Sequence, residues 1–318
     1  MALLEVRGLR TTFPLDGSAA RAVDGVSFDL DSGGVLGLVG ESGCGKSMTA
    51  LSLMRLVPPP GHVEGGEVRL ADRDLLRMPE REMRRVRGTG IAMIFQEPMT
   101  SLNPVLAVGT QVVEGLRVHR RMGCRAARHR AVELLAEVGI ADPARRAGDY
   151  PHQLSGGMRQ RVMIAMAIAC EPRVLVADEP TTALDVTIQA EILELLRGLR
   201  ERYGMALLLI THDLGVVAEQ ADDVAIMYAG RIVEHGSVLD IFDRPRHPYT
   251  QALFRSMPGV GGRRTRLETI PGQVPDLGRL PSGCAFRDRC PACIPACAAA
   301  PPPLEEKAPG HRVACIRA

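Results

Sequence analysis

The chain has no tryptophan, and its aromatic residues make up only 3% of 318 positions. Its core must therefore rest on Leu, Val, Ile, Ala and Met, which a hydrophobic content of 46% can supply. No run reaches the ~18 apolar residues that a membrane span needs. The opening stretch Met1 to Arg7 has no basic segment followed by a long apolar one, so no secretory signal is read there and a cytosolic location is expected. An excess of charge is also missing. Against 39 basic residues stand 37 acidic ones, a net charge of +2, which gives no argument for nucleic acid or an anionic membrane surface as a partner. Cysteine is sparse over most of the length. Cys44, Cys124 and Cys170 are scattered and expected to be reduced, whereas the other five of the eight fall in the last 35 residues.

What is present begins with Gly40-Glu41-Ser42-Gly43-Cys44-Gly45-Lys46-Ser47. This stretch fits G-x-x-x-x-G-K-[ST] at every fixed position. The apolar run Val35 to Val39 before it suits a buried parallel strand. Met48 to Leu56 after it reads as a helix, stopped by Pro58-Pro59-Pro60. A strand, a glycine loop and a helix N-terminus aim several backbone N–H groups at one point, which makes a phosphate site. The nucleotide-binding set is then Gly40, Ser42, Gly43, Cys44, Gly45, Lys46, Ser47 and Met48. Lys46 is expected to reach the β- and γ-phosphates of ATP, and the Ser47 hydroxyl to sit on Mg²⁺.

Residues 3–10 and 22–30 alternate apolar and polar, as antiparallel strands of an N-terminal sheet do. Strands are expected at Glu67 to Leu70, Ile91 to Phe95, Arg173 to Glu179 and Ala206 to Thr211. From Pro104 to about Leu154 the pattern turns helical, with Val132, Leu134, Leu135 and Val138 on one core-facing stripe. Ser155 stands where the N-cap of a further helix belongs. Val186 to Tyr203 reads as an amphipathic helix with Gly204 as its stop. Ala229-Gly230 marks a hairpin between Asp223 to Tyr228 and Arg231 to Glu234. All-apolar strands alternating with helices predict an α/β fold with a parallel sheet covered on both faces. After Arg244, Pro, Gly and Cys become frequent and periodicity fades. The expected division is a nucleotide-binding domain over 1–244, with a helical insert at about 104–165, and an appended module over 245–318.

Four further polar residues end buried strands. Asp178 is placed to coordinate Mg²⁺. Glu179 beside it is the candidate general base for the attacking water. Gln96 can offer an oxygen to Mg²⁺ or to that water, and His212 can contact the γ-phosphate. Strand ends often carry polar residues, so each is a weak signal alone. In this order behind a phosphate loop, they are a strong one.

With Leu154-Ser155-Gly156-Gly157-Met158-Arg159-Gln160 and Ala183-Leu184-Asp185 added, the set Gly40–Ser47, Gln96, Val174–Glu179 and His212 resembles the nucleotide-binding subunit of an ABC transporter over roughly residues 3–245. The resemblance implies a P-loop NTPase (RecA-like) core, an antiparallel β-subdomain and a helical subdomain. It implies that residues 154–160 face the γ-phosphate held by a partner subunit, so that two ATP molecules are sandwiched in a head-to-tail dimer, with Asp185 at the interface. It also implies an aromatic that stacks on adenine, for which Phe13 is the candidate.

Gln96-Glu97-Pro98-Met99-Thr100-Ser101-Leu102-Asn103-Pro104 and Arg246-His247-Pro248-Tyr249-Thr250 are similar to motifs of the dipeptide/oligopeptide (and nickel) importer branch. Cys284, Cys290, Cys297 and Cys315, with five, six and seventeen residues between them, resemble that branch's four-cysteine pattern, which holds a [4Fe–4S] cluster in some members. On ligand type alone four thiolates suit Fe–S or tetrahedral Zn²⁺ equally. Cys293 reads as a spare thiol. The branch implies an ATPase that powers import of di- or oligopeptides at the cytoplasmic face of the membrane. It implies two transmembrane permease subunits, an extracytoplasmic substrate-binding protein, and a second ABC ATPase, more usually a different chain than a second copy. Import of nickel or another small solute is the alternative cargo. A non-transport ABC ATPase is the alternative class, disfavoured by a single cassette with no heptad run and balanced charge.

Overall fold

The computed structural model describes residues 2–15, 18–182, 184–256 and 269–318. Ala183 of the Ala183-Leu184-Asp185 motif lies outside them, as do Asp16 and Gly17. The chain divides into two compact units. One holds residues 2–4, 30–34 and 69–210; the other holds 5–29, 35–68 and 211–318.

In the first unit the strands Ile91–Ile94, Val174–Asp178 and Ala206–Thr211 run parallel, with Ile91 opposite Val174 and Asp178 opposite Ile210. Every residue of these three strands is buried. Continuous burial explains why they read as unbroken apolar runs rather than alternating ones. The helical pattern resolves into Val108–His119, Cys124–Glu137 and Pro143–Arg146, with Pro98–Ser101 before it and Gly156–Ile168 after it. The stripe residues Leu134, Leu135 and Val138 are fully buried, whereas Val132 is not in the core. Val186–Tyr203 is one amphipathic helix. Asp185 caps its start, and Gly204, at φ 63°, ends it in the left-handed conformation that glycine adopts without strain.

In the second unit Val35–Val39 pairs parallel with Asp223–Tyr228, which turns through Ala229-Gly230 into antiparallel Arg231–Ser237. The hairpin's second arm runs three residues beyond the expected Glu234. Its far edge is extended by the end of the chain: His311–Val313 pairs antiparallel with it, Val313 opposite Glu234, and Glu305–Ala308 pairs with His311–Val313. These strands are too short to show a period in sequence. The N-terminal strands Ala2–Leu15 and Ser18–Asp31, each longer than expected, form a separate sheet with His62–Leu70. Lys46–Leu53 is the helix after the phosphate loop, starting two residues before the expected Met48 and ending before Leu56.

Three of the few aromatics pack against one another in the core. Tyr228, Tyr249 and Phe286 form one cluster, with ring centroids 4.7 Å apart for the tyrosines and 5.3 Å from each to Phe286.

Candidate nucleotide site

The phosphate loop follows the fully buried strand Val35–Val39. Two of its glycines are required by close approach. A Cβ on Gly40 would stand 2.2 Å from the Met227 carbonyl oxygen, and one on Gly45, which has φ +109°, would stand 2.2 Å from that of Ala22. The helix Lys46–Leu53 then starts with Gly45 at the N-cap, where no side chain can cap it. Lys46 is 5% exposed; its Nζ donates to the carbonyls of Gly40 (2.7 Å) and Glu41 (3.1 Å). The Cys44 thiol is fully buried, and burial pushes its pKa up, so it is a packing group in the loop rather than a thiolate. Ser42 and Gly43 are exposed, and Ser47 and Met48 open the helix. Phe13, half-buried on Ala2–Leu15, lies with its ring 2.5 Å from where a Gly61 Cβ would be, so only glycine fits beneath it. His212 is an exposed residue just after Ala206–Thr211. These residues all belong to the second unit.

The other residues assigned to the nucleotide site from sequence, Gln96, Leu154 to Gln160, Asp178, Glu179 and Asp185, belong to the first unit. Asp178, 3% exposed, ends its strand. Glu179 follows with φ 45°, a left-handed backbone that a non-glycine residue rarely adopts. Its N–H donates to the Ile210 carbonyl (2.9 Å), which fixes the turn. Its carboxylate accepts from Gln96 Nε2 (2.9 Å) and from the Thr182 hydroxyl (2.8 Å). The fold thus brings together Gln96 and Glu179, 83 positions apart. Thr182 was not marked in the sequence; its only signal is a hydroxyl three residues beyond the candidate base.

Leu154 is buried just ahead of helix Gly156–Ile168, and Ser155 caps that helix by accepting from the Met158 N–H at 3.3 Å. Ser155 and Gly156 are exposed, and a Cβ on Gly157 would press 3.0 Å from Ile188. Arg159 Nε donates to the Pro151 carbonyl (2.7 Å), while Gln160 is buried with its Nε2 unpartnered. An exposed, capped helix start with two glycines is an anion-binding device.

Cys284, Cys290, Cys297 and Cys315 line one small cavity together with His247 and Phe286. The Cys284 and Cys290 thiols are raised above their ordinary pKa, by burial first and then, in part, by the neighbouring cysteines. Among the described residues, however, no three His, Cys, Asp or Glu side chains converge as ligands of a metal ion. The four cysteines therefore share a cavity but are not a set of donors aimed at one point.

The Arg246–Thr250 motif has a local physical role that sequence reasoning missed. Glu234 is fully buried and accepts from the N–H groups of Arg246 (2.7 Å) and His247 (3.0 Å) and from His311 Nε2 (2.8 Å). His247 Nδ1 in turn caps Pro248–Arg255 by accepting from the Tyr249 N–H (3.0 Å), and burial pushes the imidazole down to about 4.

A strand, a glycine loop with Lys-Ser and a helix, together with a strand ending in paired carboxylates, define a P-loop nucleotide-binding protein of the α/β class. Comparison with known proteins narrows that class. Residues 23–182 match the family described as ABC transporter, and residues 233–297 match the oligopeptide/dipeptide transporter C-terminal region. The chain belongs to the ABC transporter ATP-binding family and is an ATPase of that type. It is 56% identical over 317 residues to a probable peptide ABC transporter ATP-binding protein of Sinorhizobium fredii, covering 99% of this chain and 95% of the relative. To the dipeptide transport ATP-binding protein of Escherichia coli it is 50% identical over 315 residues, covering 99% and 96%. Among solved structures, it is similar to a dimeric post-hydrolysis state of the ATP-binding cassette MJ0796 bound to ADP and Pi, with TM-score 0.67 and 27% identity over 74% of this chain and 98% of that one.

Proposed function

We propose that this chain is the ATP-binding and hydrolysing subunit that powers import of di- or oligopeptides through separate membrane subunits. The observation that carries the reading is full-length similarity to peptide-import ATP-binding proteins on top of a complete set of nucleotide-site residues. No helix among the described residues is long and apolar enough to cross a membrane, so the path for the peptide belongs to other chains. The chain then works at the cytoplasmic face, against two permease subunits and a second ABC ATPase, with a substrate-binding protein delivering cargo from outside.

In this reading residues 1–244 are the nucleotide-binding domain, with a helical subdomain at about 104–165, and 245–318 are a C-terminal extension. Gly40 to Met48 cradle the phosphates of ATP through backbone N–H groups, and Lys46 exchanges its carbonyl partners for phosphate oxygens. Phe13 stacks on the adenine. Ser47, Asp178 and Gln96 would hold Mg²⁺, which would supply positive charge beside the phosphates. Glu179 takes a proton from the attacking water. The hydrogen bond from Gln96 and the strained backbone support this role, because both fix the direction in which its carboxylate points. His212 donates to the γ-phosphate. Leu154 to Gln160 complete the site of a partner subunit, and Asp185 lies at that interface. By their thiolate chemistry and shared lining of one cavity, Cys284, Cys290, Cys297 and Cys315 are the residues that would hold a [4Fe–4S] cluster.

A tagged Glu179→Gln chain, pulled down from native membranes with ATP and Mg²⁺, tests the assignment by mass spectrometry of what co-purifies. Two multi-span permeases and a second ATPase are expected. A chain recovered alone, or with ribosomes or DNA factors, would end the transport reading. Anaerobically purified protein should absorb broadly near ~400 nm, as thiolate-held Fe–S does; colourless protein holding one zinc would remove the cluster.

A further inference from the structure

Glu41, the second residue of the phosphate loop, is held on three sides, and two of the holds come from the far end of the chain. Its carboxylate receives a two-pronged pair from Arg289, with Nη1 at 2.9 Å from Oε2 and Nη2 at 3.2 Å from Oε1. Its N–H donates to the Tyr249 hydroxyl at 3.0 Å. Its carbonyl accepts from Lys46 Nζ at 3.1 Å. The partners are 248, 208 and 5 positions away.

These holds are well built. The Arg289 side chain is only 7% exposed, and its guanidinium also donates to the Tyr228 hydroxyl (3.3 Å) and the Pro271 carbonyl (2.8 Å). It sits 5.8 Å from the Tyr228 ring and 5.9 Å from the Phe286 ring. Tyr249 is fully buried in that same aromatic cluster. A planar guanidinium paired with a carboxylate through two bonds is fixed in direction as well as in place. Arg289 is the neighbour of Cys290, and the Cys284 N–H donates to the Cys297 carbonyl at 2.8 Å. The segment that carries the cysteines therefore also carries the clamp on the loop.

We infer that Arg289 and Tyr249 are positioning residues for the phosphate loop, so that the order of the segment 284–297 sets how tightly the loop holds nucleotide. The inference rests on the reading of Gly40–Met48 as the ATP site. Before nucleotide binds, the loop must already present its N–H groups in the bound arrangement, or binding is weakened by the fraction of time it does not. Arg289 and Tyr249 touch neither phosphate nor water in this scheme. Their loss should weaken affinity and leave the chemical step alone.

The test measures the Kd of the full chain for a fluorescent ATP analogue, with KM and kcat for ATP alongside. Tyr249→Phe keeps the ring packing and deletes one hydroxyl, so it remains folded where truncations of Arg289 are harsher. Tyr249→Phe and Arg289→Met are each expected to raise Kd and KM by roughly 5- to 10-fold with kcat within about 2-fold, the scale of coupling between contacting residues. Glu41→Gln added to Arg289→Met should cost little more, because one interaction is removed twice. Arg289→Lys should recover part of the affinity. Cys284→Ser with Cys290→Ser should raise Kd in the same direction. Kd values within about 2-fold of the parent chain in both Tyr249→Phe and Arg289→Met would overturn the inference while leaving the ATP reading in place. A parent chain that binds no nucleotide would overturn the ATP reading itself, and the inference with it.

Discussion

Glu179 carries the most specific claim at the level of a single residue. Its backbone is in a strained conformation, its N–H is tied to Ile210, and its carboxylate is oriented by Gln96 and Thr182. Glu179→Gln preserves shape and removes the proposed base. Hydrolysis should fall at least ~10²-fold while ATP still binds, because general-base catalysis is worth that much and phosphate binding belongs to the loop. Single-turnover hydrolysis against nucleotide affinity separates the two; near-normal turnover would take Glu179 out of the role. Lys46→Ala should do the opposite and weaken binding itself. A second residue, His235, makes a prediction about pH. It is buried, and burial together with the Arg312 charge pushes it down to about 4; its Nε2 has no hydrogen-bond partner. The folded pKa lies below the unfolded value of about 6.5. The neutral form is favoured on folding, so this contribution is fully present above about 6.5 and is lost as pH falls towards 4. The loss is on the order of 3 kcal/mol, at about 1.4 kcal/mol per unit. His235→Gln should flatten melting temperature against pH between about 4 and 6.5. An unchanged slope would assign the acid sensitivity elsewhere, His247 being the other imidazole pushed to about 4.

The elements differ in how plainly they could be read. Val174–Asp178 and Ala206–Thr211 announced themselves because strands buried on both faces must be apolar at every position. Gly204 and Ser155 marked helix ends because only certain residues solve the geometry of a terminus. The phosphate loop, Gln96, Asp178 and Glu179 stood out as candidates for a related reason, since each lies at or just beyond the end of such a strand. What stayed hidden depends on contacts across the chain. Glu305–Ala308 and His311–Val313 are too short to carry a period, and their place beside Arg231–Ser237 is fixed by pairing, not by local preference. Thr182, Glu234 and Arg289 look like ordinary surface residues until the fold supplies partners 3, 77 and 248 positions away. Glu234 tests this at the level of the element. It is the buried carboxylate to which Arg246, His247 and His311 are all tied, so it joins the last strand to the start of Pro248–Arg255. Glu234→Ala would leave two N–H groups and a histidine without their acceptor. Stability should fall by about 3 kcal/mol in urea unfolding. Glu305→Ala, on an exposed strand position, should change it by no more than about 0.5 kcal/mol. Equal effects would mean that Glu234 is not the anchor.

For the whole molecule, the question is what completes the site. Ser155 and Gly156 form an exposed, capped helix start. In the proposed reading that helix start serves a phosphate held by a partner chain. ATP held between two chains is then glue, and hydrolysis releases it, which makes association depend on nucleotide and on Glu179 together. Glu179→Gln with ATP and Mg²⁺ should shift to twice the chain's mass in light scattering and return to one when ATP is removed. Ser155→Arg fills the helix start with a bulky cation and should abolish that shift without altering ATP affinity, since in the proposed reading Ser155 acts on the partner's nucleotide. The outcome also decides between the two kinds of partner. Doubling by the isolated chain establishes that two copies suffice. A chain that binds ATP yet stays single, and pairs only when a second ABC ATPase is supplied, establishes that the complementary half-site belongs to a different subunit.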